Sequence, residues 1–187
     1  MAVEIEVPDR PITVEEFDQM VELGIIKPDE RIELVEGHLV PLEPMNAPHA
    51  SLAARLNHVL QPLSGRALLW PQLPLVISDR SKPLPDMGLL HRRGDFYREH
   101  LPDPEDVFAV IEVSDTTLKF DRGTKLVAYA RAGIPEYWIV DVNEKTIEIC
   151  RDPHDLGYGS RKSAGKGDSV SFAAFPDVVF SVDELLG

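Results

Sequence analysis

The stretch VFAVIEVSDTTLKFDRGTKLVAYARAGIPEYWIVD, residues 107–141, decides the fold. Residues 107–113 form an apolar run with the length of a buried strand. A helix is predicted from about residue 121 to 132, ended by Gly133 and a proline, and EYWIVD at 136–141 reads as a second strand. A strand–helix–strand unit of this length allows the two strands to be parallel neighbours.

One carboxylate, Glu112, interrupts the apolar strand, and a charge placed there is costly unless it has a partner. Lys125 follows on the predicted helix, four residues after Asp121 and on the same helical face. The alternative is that Glu112 ends a strand that is open to solvent and that Asp121 and Lys125 form an exposed pair worth about 0.3–0.5 kcal/mol.

The residues before this unit predict a helix, a hairpin and a second helix. ITVEEFDQMVELG at 12–24 has the capping-box pair Thr13 and Glu16, and RIELVEGHLVPL at 31–42 has a turn at Glu36-Gly37. APHASLAARLNHVLQPLSG at 47–65 repeats leucine and valine at the spacing of an amphipathic helix.

Short strands are predicted on both sides of the central unit, at ALLW 67–70, LPLVI 73–77, DMGLLH 86–91 and TIEIC 146–150. GYGSRKSAGKG at 157–167 is a polar hairpin or loop. The order of elements predicts the α/β class, of mixed α+β type, with a central mixed β-sheet flanked by helices and preceded by an N-terminal helix and β-hairpin.

Composition places the 187 residues in a single domain, 1–187, of an ordinary globular protein. The apolar runs are too short for a membrane span, and MAVEIEVPDR lacks the pattern of a secretory signal. The lone cysteine, Cys150, excludes an intramolecular disulfide and fits a cytoplasmic location.

The net charge of −13 argues against a broad basic surface for nucleic acid. Two local basic clusters reduce the force of that argument, HRRGDFYR at 91–98 and SRKSAGKG at 160–167. Either cluster is equally consistent with a solvated loop.

Two carboxylates occupy predicted strand positions in apolar surroundings. They belong to Glu112 and to Asp86, and Asp86 directly follows Pro85. Mg²⁺ or Mn²⁺ takes oxygen ligands from a few carboxylates together with water and phosphate. Asp86 and Glu112 on adjacent strands would hold such an ion, with the neighbouring backbone carbonyl of Val113 completing its coordination. Asp86 taken alone is equally a turn residue after proline.

Four segments of the chain are distinctive: LPDMGLL, IEVSDTT, the run from Asp121 to Asp141, and RIELVEG. Together they resemble the Uma-type family of restriction endonucleases in the PD-(D/E)xK nuclease superfamily. The resemblance covers nearly the whole chain. It implies that Asp86 is the aspartate of the PD motif and that Glu112 is the acidic residue of the (D/E)xK motif. Ser114 stands at the third position of that motif, where the superfamily has lysine.

The resemblance further implies that Lys125, from the following helix, supplies the missing ammonium and that Glu33 is an additional acidic residue beside the metal. Glu33 is equally consistent with an exposed hairpin position. Tyr129, Tyr137 and Trp138 match the family but are typical core residues. His49, at a helix start, is more typical of polar surface than of a ligand, with a contact to substrate as the alternative.

The patterns and the resemblance together predict a Mg²⁺- or Mn²⁺-dependent endonuclease that hydrolyses DNA, with Asp86, Glu112, Lys125 and Glu33 as catalytic residues. Nothing in the sequence separates DNA from RNA or another phosphate ester as the substrate. Cutting two strands favours a homodimer, with no membrane partner. The alternative is a nuclease-fold module without catalysis that binds nucleic acid or protein, which the acidic charge favours.

Overall fold

The computed structural model describes residues 10–27 and 29–187. Residues 1–9, which contain most of the segment that argued against a secretory signal, lie outside the described residues. No helix of the described part of the chain is long and apolar enough to cross a bilayer.

A six-stranded mixed sheet in the order β3-β4-β5-β6-β7-β8 is the centre of the fold. Its strands are β3 Leu68–Trp70, β4 Met87–Leu90, β5 Val107–Ser114, β6 Glu136–Asp141, β7 Thr146–His154 and β8 Gly157–Ala164. Two small antiparallel pairs lie apart from it: β1 Ile32–Val35 with β2 His38–Pro41, and β9 Ser169–Val170 with β10 Phe180–Ser181. The mixed α/β class with a central sheet and flanking helices is confirmed.

The α-helices are α1 Val14–Glu22, α2 Ala47–Val59, α3 Leu118–Phe120, α4 Leu126–Arg131 and α5 Val182–Leu186. A π-helical turn, Asp121–Lys125, joins α3 to α4, so that residues 118–131 form one continuous crossover helix. This crossover helix connects β5 to β6, which pair in parallel with Glu112 opposite Ile139. The predicted parallel strand–helix–strand unit is therefore confirmed.

Successive strand residues point to opposite faces of the sheet and build two cores. Ile111 and Trp138 belong to the core beneath α2 and α5. Val110 and Tyr137 belong to the core beneath the crossover helix. Because Glu112 follows Ile111, its carboxylate emerges on the crossover-helix side.

The β1–β2 hairpin packs above that second face through the extended segment before β4. Leu34 exchanges backbone hydrogen bonds with Lys82, and Gly37 has φ 81° in the turn. A Cβ on Gly37 would lie 2.4 Å from Cβ of Pro11, so this turn requires glycine. The hairpin thereby holds β1 over the end of the sheet where β5 terminates.

Three local predictions differ from the structure. LPLVI at 73–77 is not a strand. Its backbone amides donate to loop carbonyls, such as those of Pro83 and Pro102, and Pro74 itself has no amide hydrogen to donate. The crossover helix begins at Leu118, three residues before the predicted start. Residues 157–164, described from sequence as a hairpin or loop, are the outer strand β8, paired antiparallel to β7.

Candidate active site

Glu112 and Asp86 come together at one end of the sheet. β4 and β5 are antiparallel with Met87 opposite Ile111, so that Asp86, just before β4, falls beside Glu112. The backbone amide of Asp86 donates to Oε2 of Glu112 over 3.4 Å, and the amide of Val113 donates to Oδ2 of Asp86 over 2.8 Å. The two carboxylates therefore share one face and one edge, as the sequence predicted.

Lys125 reaches the same point from the crossover helix. Its Nζ lies 2.8 Å from Oε1 of Glu112 and 3.0 Å from Oε1 of Glu33 on β1. All three side chains are at most 5% exposed. The structure thus excludes the exposed hairpin position for Glu33 and the exposed pair for Lys125.

Oε2 of Glu33 accepts a hydrogen bond from the amide of Leu84 over 3.0 Å, which orients the carboxylate. Its Oε1, although close to the ammonium, has no hydrogen bond of good geometry. Burial lowers the pKa of Lys125, but the charges of Glu112 and Glu33 raise it by more, so that the pKa lies above its ordinary value. Lys125 is therefore a permanent cation at neutral pH.

Tyr129, one helical turn after Lys125, also contacts Glu112. Its hydroxyl donates to Oε1 of Glu112 over 2.8 Å from a fully buried position. Burial raises the pKa of Glu112 above its ordinary value, as do the carboxylates of Asp86, Asp121 and Glu33, whereas the charge of Lys125 at 2.8 Å lowers it and favours the carboxylate. Tyr129 is thus both a core residue and a partner of the carboxylate.

Asp121 serves the helix rather than Lys125. Its Oδ2 accepts hydrogen bonds from the hydroxyls of Ser114 over 2.7 Å and Thr117 over 2.6 Å, and the side chain is buried. These bonds fasten the π-helical turn to the end of β5. Ser114 therefore helps to fix the helix that delivers Lys125.

His49 lies in the site, although the sequence interpretation favoured polar surface over a substrate contact for it. Asn46 caps α2 and places His49 in its first turn, with Nε2 2.9 Å from Oδ1 of Asp86. This hydrogen bond raises the pKa of His49, while burial and the charge of Arg31 lower it. The motif NAPH, in which a capping asparagine is followed three residues later by histidine, is the sequence signal that could have placed His49 in the first turn of α2.

A cleft of about 290 Å³ opens onto these groups. Asn46 donates to Oδ2 of Asp115 over 2.8 Å, and Thr116 donates to Oε2 of Glu43 over 2.7 Å. These two bonds tie the linker between β2 and α2 to the loop after β5 across the mouth of the cleft.

The family model described as "Putative restriction endonuclease", Uma2, matches residues 14–183. The chain belongs to this family. A solved structure from Anabaena variabilis, described as a putative nuclease belonging to DUF820, superposes with a TM-score of 0.68 at 17% identity, covering 94% of this chain and 98% of that chain. No curated protein matches the sequence.

The carboxyl groups of this Uma2-family protein fit a divalent cation by charge. Within residues 10–27 and 29–187, no group of three or more His, Cys, Asp or Glu side chains is arranged to hold a metal by itself. Mg²⁺ is commonly held by one or two carboxylates with water and substrate phosphate, a requirement that Asp86 and Glu112 meet. The carboxylates that line the cleft outnumber its cations, so the cleft has an excess of negative charge that a divalent cation would offset.

The basic cluster at 91–98 lies at the wrong end of the sheet to assist this site. Leu90 pairs with Val107, so the loop leaves β4 at the end opposite Asp86. Arg93 is paired with Asp95, and Arg92 donates to the carbonyl of Gly65. In this Uma2-family fold, that cluster is remote from the carboxylates.

Proposed function

We propose that this Uma2-family protein is a divalent-metal-dependent endonuclease that hydrolyses phosphodiester bonds of DNA. The observation that supports it most is the meeting of Asp86, Glu112 and Lys125 at one point of a cleft, delivered by three separate elements. A buried cluster of this kind costs stability, and such costs are concentrated at functional sites.

Asp86 and Glu112 would hold Mg²⁺ or Mn²⁺ with the carbonyl of Val113. When bound, the ion would supply charge that polarises a phosphoryl oxygen and lowers the pKa of water. His49 and the amide of Val113 hold the Asp86 carboxylate in place through its two oxygens. Tyr129 does the same for Glu112.

Lys125 would orient the attacking water or stabilise the negative charge that develops on the phosphate. Its ammonium is held between Glu33 and Glu112, so that it needs no rearrangement to reach this position. Glu33 is therefore proposed to act through Lys125, and its contact with the substrate is not required.

A nuclease-fold module without catalysis is the second candidate, and the net charge of −13 favours it. The two candidates differ in what they require of the carboxylates. A binding module tolerates the loss of Asp86, whereas a hydrolase does not.

Nicking of supercoiled plasmid in Mn²⁺ tests the proposal. We expect the wild-type protein to nick and Asp86→Ala to lose that activity by at least a hundredfold, on the order of a missing catalytic group. Asp79→Ala is the matched control, because its carboxylate is 80% exposed and paired only loosely with Arg80. Equal nicking by Asp86→Ala and the wild type would remove Asp86 from the site.

We further propose that the protein acts as a homodimer, since two sites would allow both strands of a duplex to be cut in one binding event. Light scattering coupled to size exclusion gives the mass directly, against 20.9 kDa for one chain. A monomer at the concentrations that support cleavage would contradict this part of the proposal.

A further inference from the structure

Arg31 stands at the mouth of the cleft, where the effect described so far is that its charge lowers the pKa of His49. It directly precedes β1 and lines the cleft, two residues before Glu33. Residues two apart on a strand point to the same side, so Arg31 follows Glu33 toward the cleft. The backbone carbonyl of Arg31 accepts from the amide of Leu42, which fixes the position of the residue across the hairpin.

The side chain of Arg31 is exposed. In the part of the chain that the structure describes, it makes no ion pair and no side-chain hydrogen bond. The other permanent cation of the cleft, Lys125, is buried between two carboxylates. Carboxylates predominate in the lining, where they belong to Glu33, Glu43, Asp86, Glu112, Asp115 and Asp121.

An exposed arginine in an acidic cleft of a protein with a net charge of −13 has a specific use. A guanidinium presents two parallel N–H donors that match a phosphate, and it is more weakly hydrated than an ammonium. A nucleic-acid strand must bring a phosphate to Asp86 and Glu112 past the carboxylates of the mouth. Arg31 is the group positioned to offset that repulsion.

We propose that Arg31 binds a backbone phosphate of the nucleic-acid substrate beside the scissile bond and thereby sets substrate affinity. This inference rests on the proposed nuclease function and adds a positioning residue that contacts the substrate strand. It predicts an effect on substrate binding and on KM, with little effect on kcat, because the contact is made equally in the ground state and the transition state.

Fluorescence anisotropy with a labelled DNA oligonucleotide in EDTA tests the contact in the absence of hydrolysis. We expect Arg31→Ala to weaken binding about tenfold and to reduce the slope of log Kd against log salt concentration by about one, as for the loss of one phosphate contact. Arg31→Lys keeps the charge and should retain the salt slope, with an affinity between those of Arg31→Ala and the wild type.

Arg98→Ala is the matched control. Arg98 is exposed and lies in the loop at the end of β4 opposite Asp86. Its substitution by alanine changes the net charge by the same amount as Arg31→Ala. Its binding and salt slope should equal those of the wild type. Identical losses in Arg31→Ala and Arg98→Ala would overturn the proposal, because they would report net charge alone.

The outcomes separate this inference from the proposed function. If the wild type binds DNA with an Arg31-dependent slope but cleaves nothing in Mn²⁺, the phosphate contact stands and the hydrolase proposal falls. If the wild type cleaves and Arg31→Ala has an unchanged KM and slope, the phosphate contact falls alone. A wild type that neither binds nor cleaves DNA ends both.

Discussion

Lys125 and Glu112 form a buried ion pair with 2.8 Å between Nζ and Oε1, each side chain being 5% exposed. The glutamate comes from β5 and the lysine from the crossover helix 13 residues later. Glu33 adds a second carboxylate to the same ammonium. The arrangement makes the lysine a structural counter-ion as well as the proposed catalytic cation.

Lys125→Met should destabilise the protein strongly. Removal of one member of a buried ion pair leaves uncompensated charge, with a cost of about 3–5 kcal/mol. Urea unfolding measures the loss, and Lys119→Met, an exposed position on the same crossover helix, should change stability by less than about 0.5 kcal/mol. Equal stability of the two variants would mean that the ion pair contributes nothing.

Glu33→Gln tests whether Glu33 acts through Lys125. Since both carboxylates contact one ammonium, we expect the losses from Glu33→Gln and Lys125→Met to be non-additive by about 0.5–3 kcal/mol in a double-mutant cycle. Simple addition of the two losses would show that Glu33 and Lys125 are energetically independent.

Tyr129→Phe removes a hydroxyl that donates to a buried carboxylate, and we expect a loss of about 1.5–3 kcal/mol in the free energy of unfolding. Tyr158→Phe is the matched control, because its buried hydroxyl donates over 3.0 Å to the neutral carbonyl of Ile134. That loss should be smaller, about 0.5–1.5 kcal/mol. The reverse order of the two losses would argue against a charged Glu112 as the acceptor.

Mn²⁺ should raise the melting temperature of the wild type, since a ligand that binds only the folded state stabilises it by about 2.7 kcal/mol at a hundred times its Kd. The rise should disappear in Asp86→Asn and persist in Asp79→Asn, measured by differential scanning fluorimetry without DNA. A rise that persists in Asp86→Asn would place the ion elsewhere.

Cys150 should not react with thiol reagents in the folded protein at pH 8. Burial raises the pKa of its thiol to about 12 from the ordinary 9.0, so that the thiolate is scarce. Because the pKa of Cys150 is higher in the folded than in the unfolded protein, its contribution to the free energy of unfolding is fully present below pH 9 and is lost as the pH rises toward 12. Ser163→Cys, at an exposed position of β8, should add one rapidly reacting thiol that calibrates the assay. Rapid modification of Cys150 would contradict its burial.

The sequence predicted the elements whose signals are local. The capping box of Thr13 and Glu16 is present in α1, and the turn at Glu36-Gly37 closes the hairpin as expected. The apolar run containing Glu112 forms the predicted central strand. Each of these signals depends on residues within a few positions of one another.

The parts that could not be predicted depend on distant neighbours. Whether Glu33 is buried or exposed depends on the packing of β1 over β5, which the sequence does not reveal. The role of His49 depends on its contact with Asp86, 37 residues away. Composition and periodicity contain no information about such distances.

The π-helical turn at Asp121–Lys125 gives the crossover helix one residue more than regular α-helical winding would use. Deleting Gly123 would let the segment relax into an uninterrupted α-helix. Because the deletion removes the one extra residue of the wide turn, the residues on its two sides would keep roughly their present directions, Asp121 toward its two hydroxyl donors and Lys125 toward Glu112. A single missing codon at this point would therefore leave the anchoring of the helix and the chemistry proposed for it aligned.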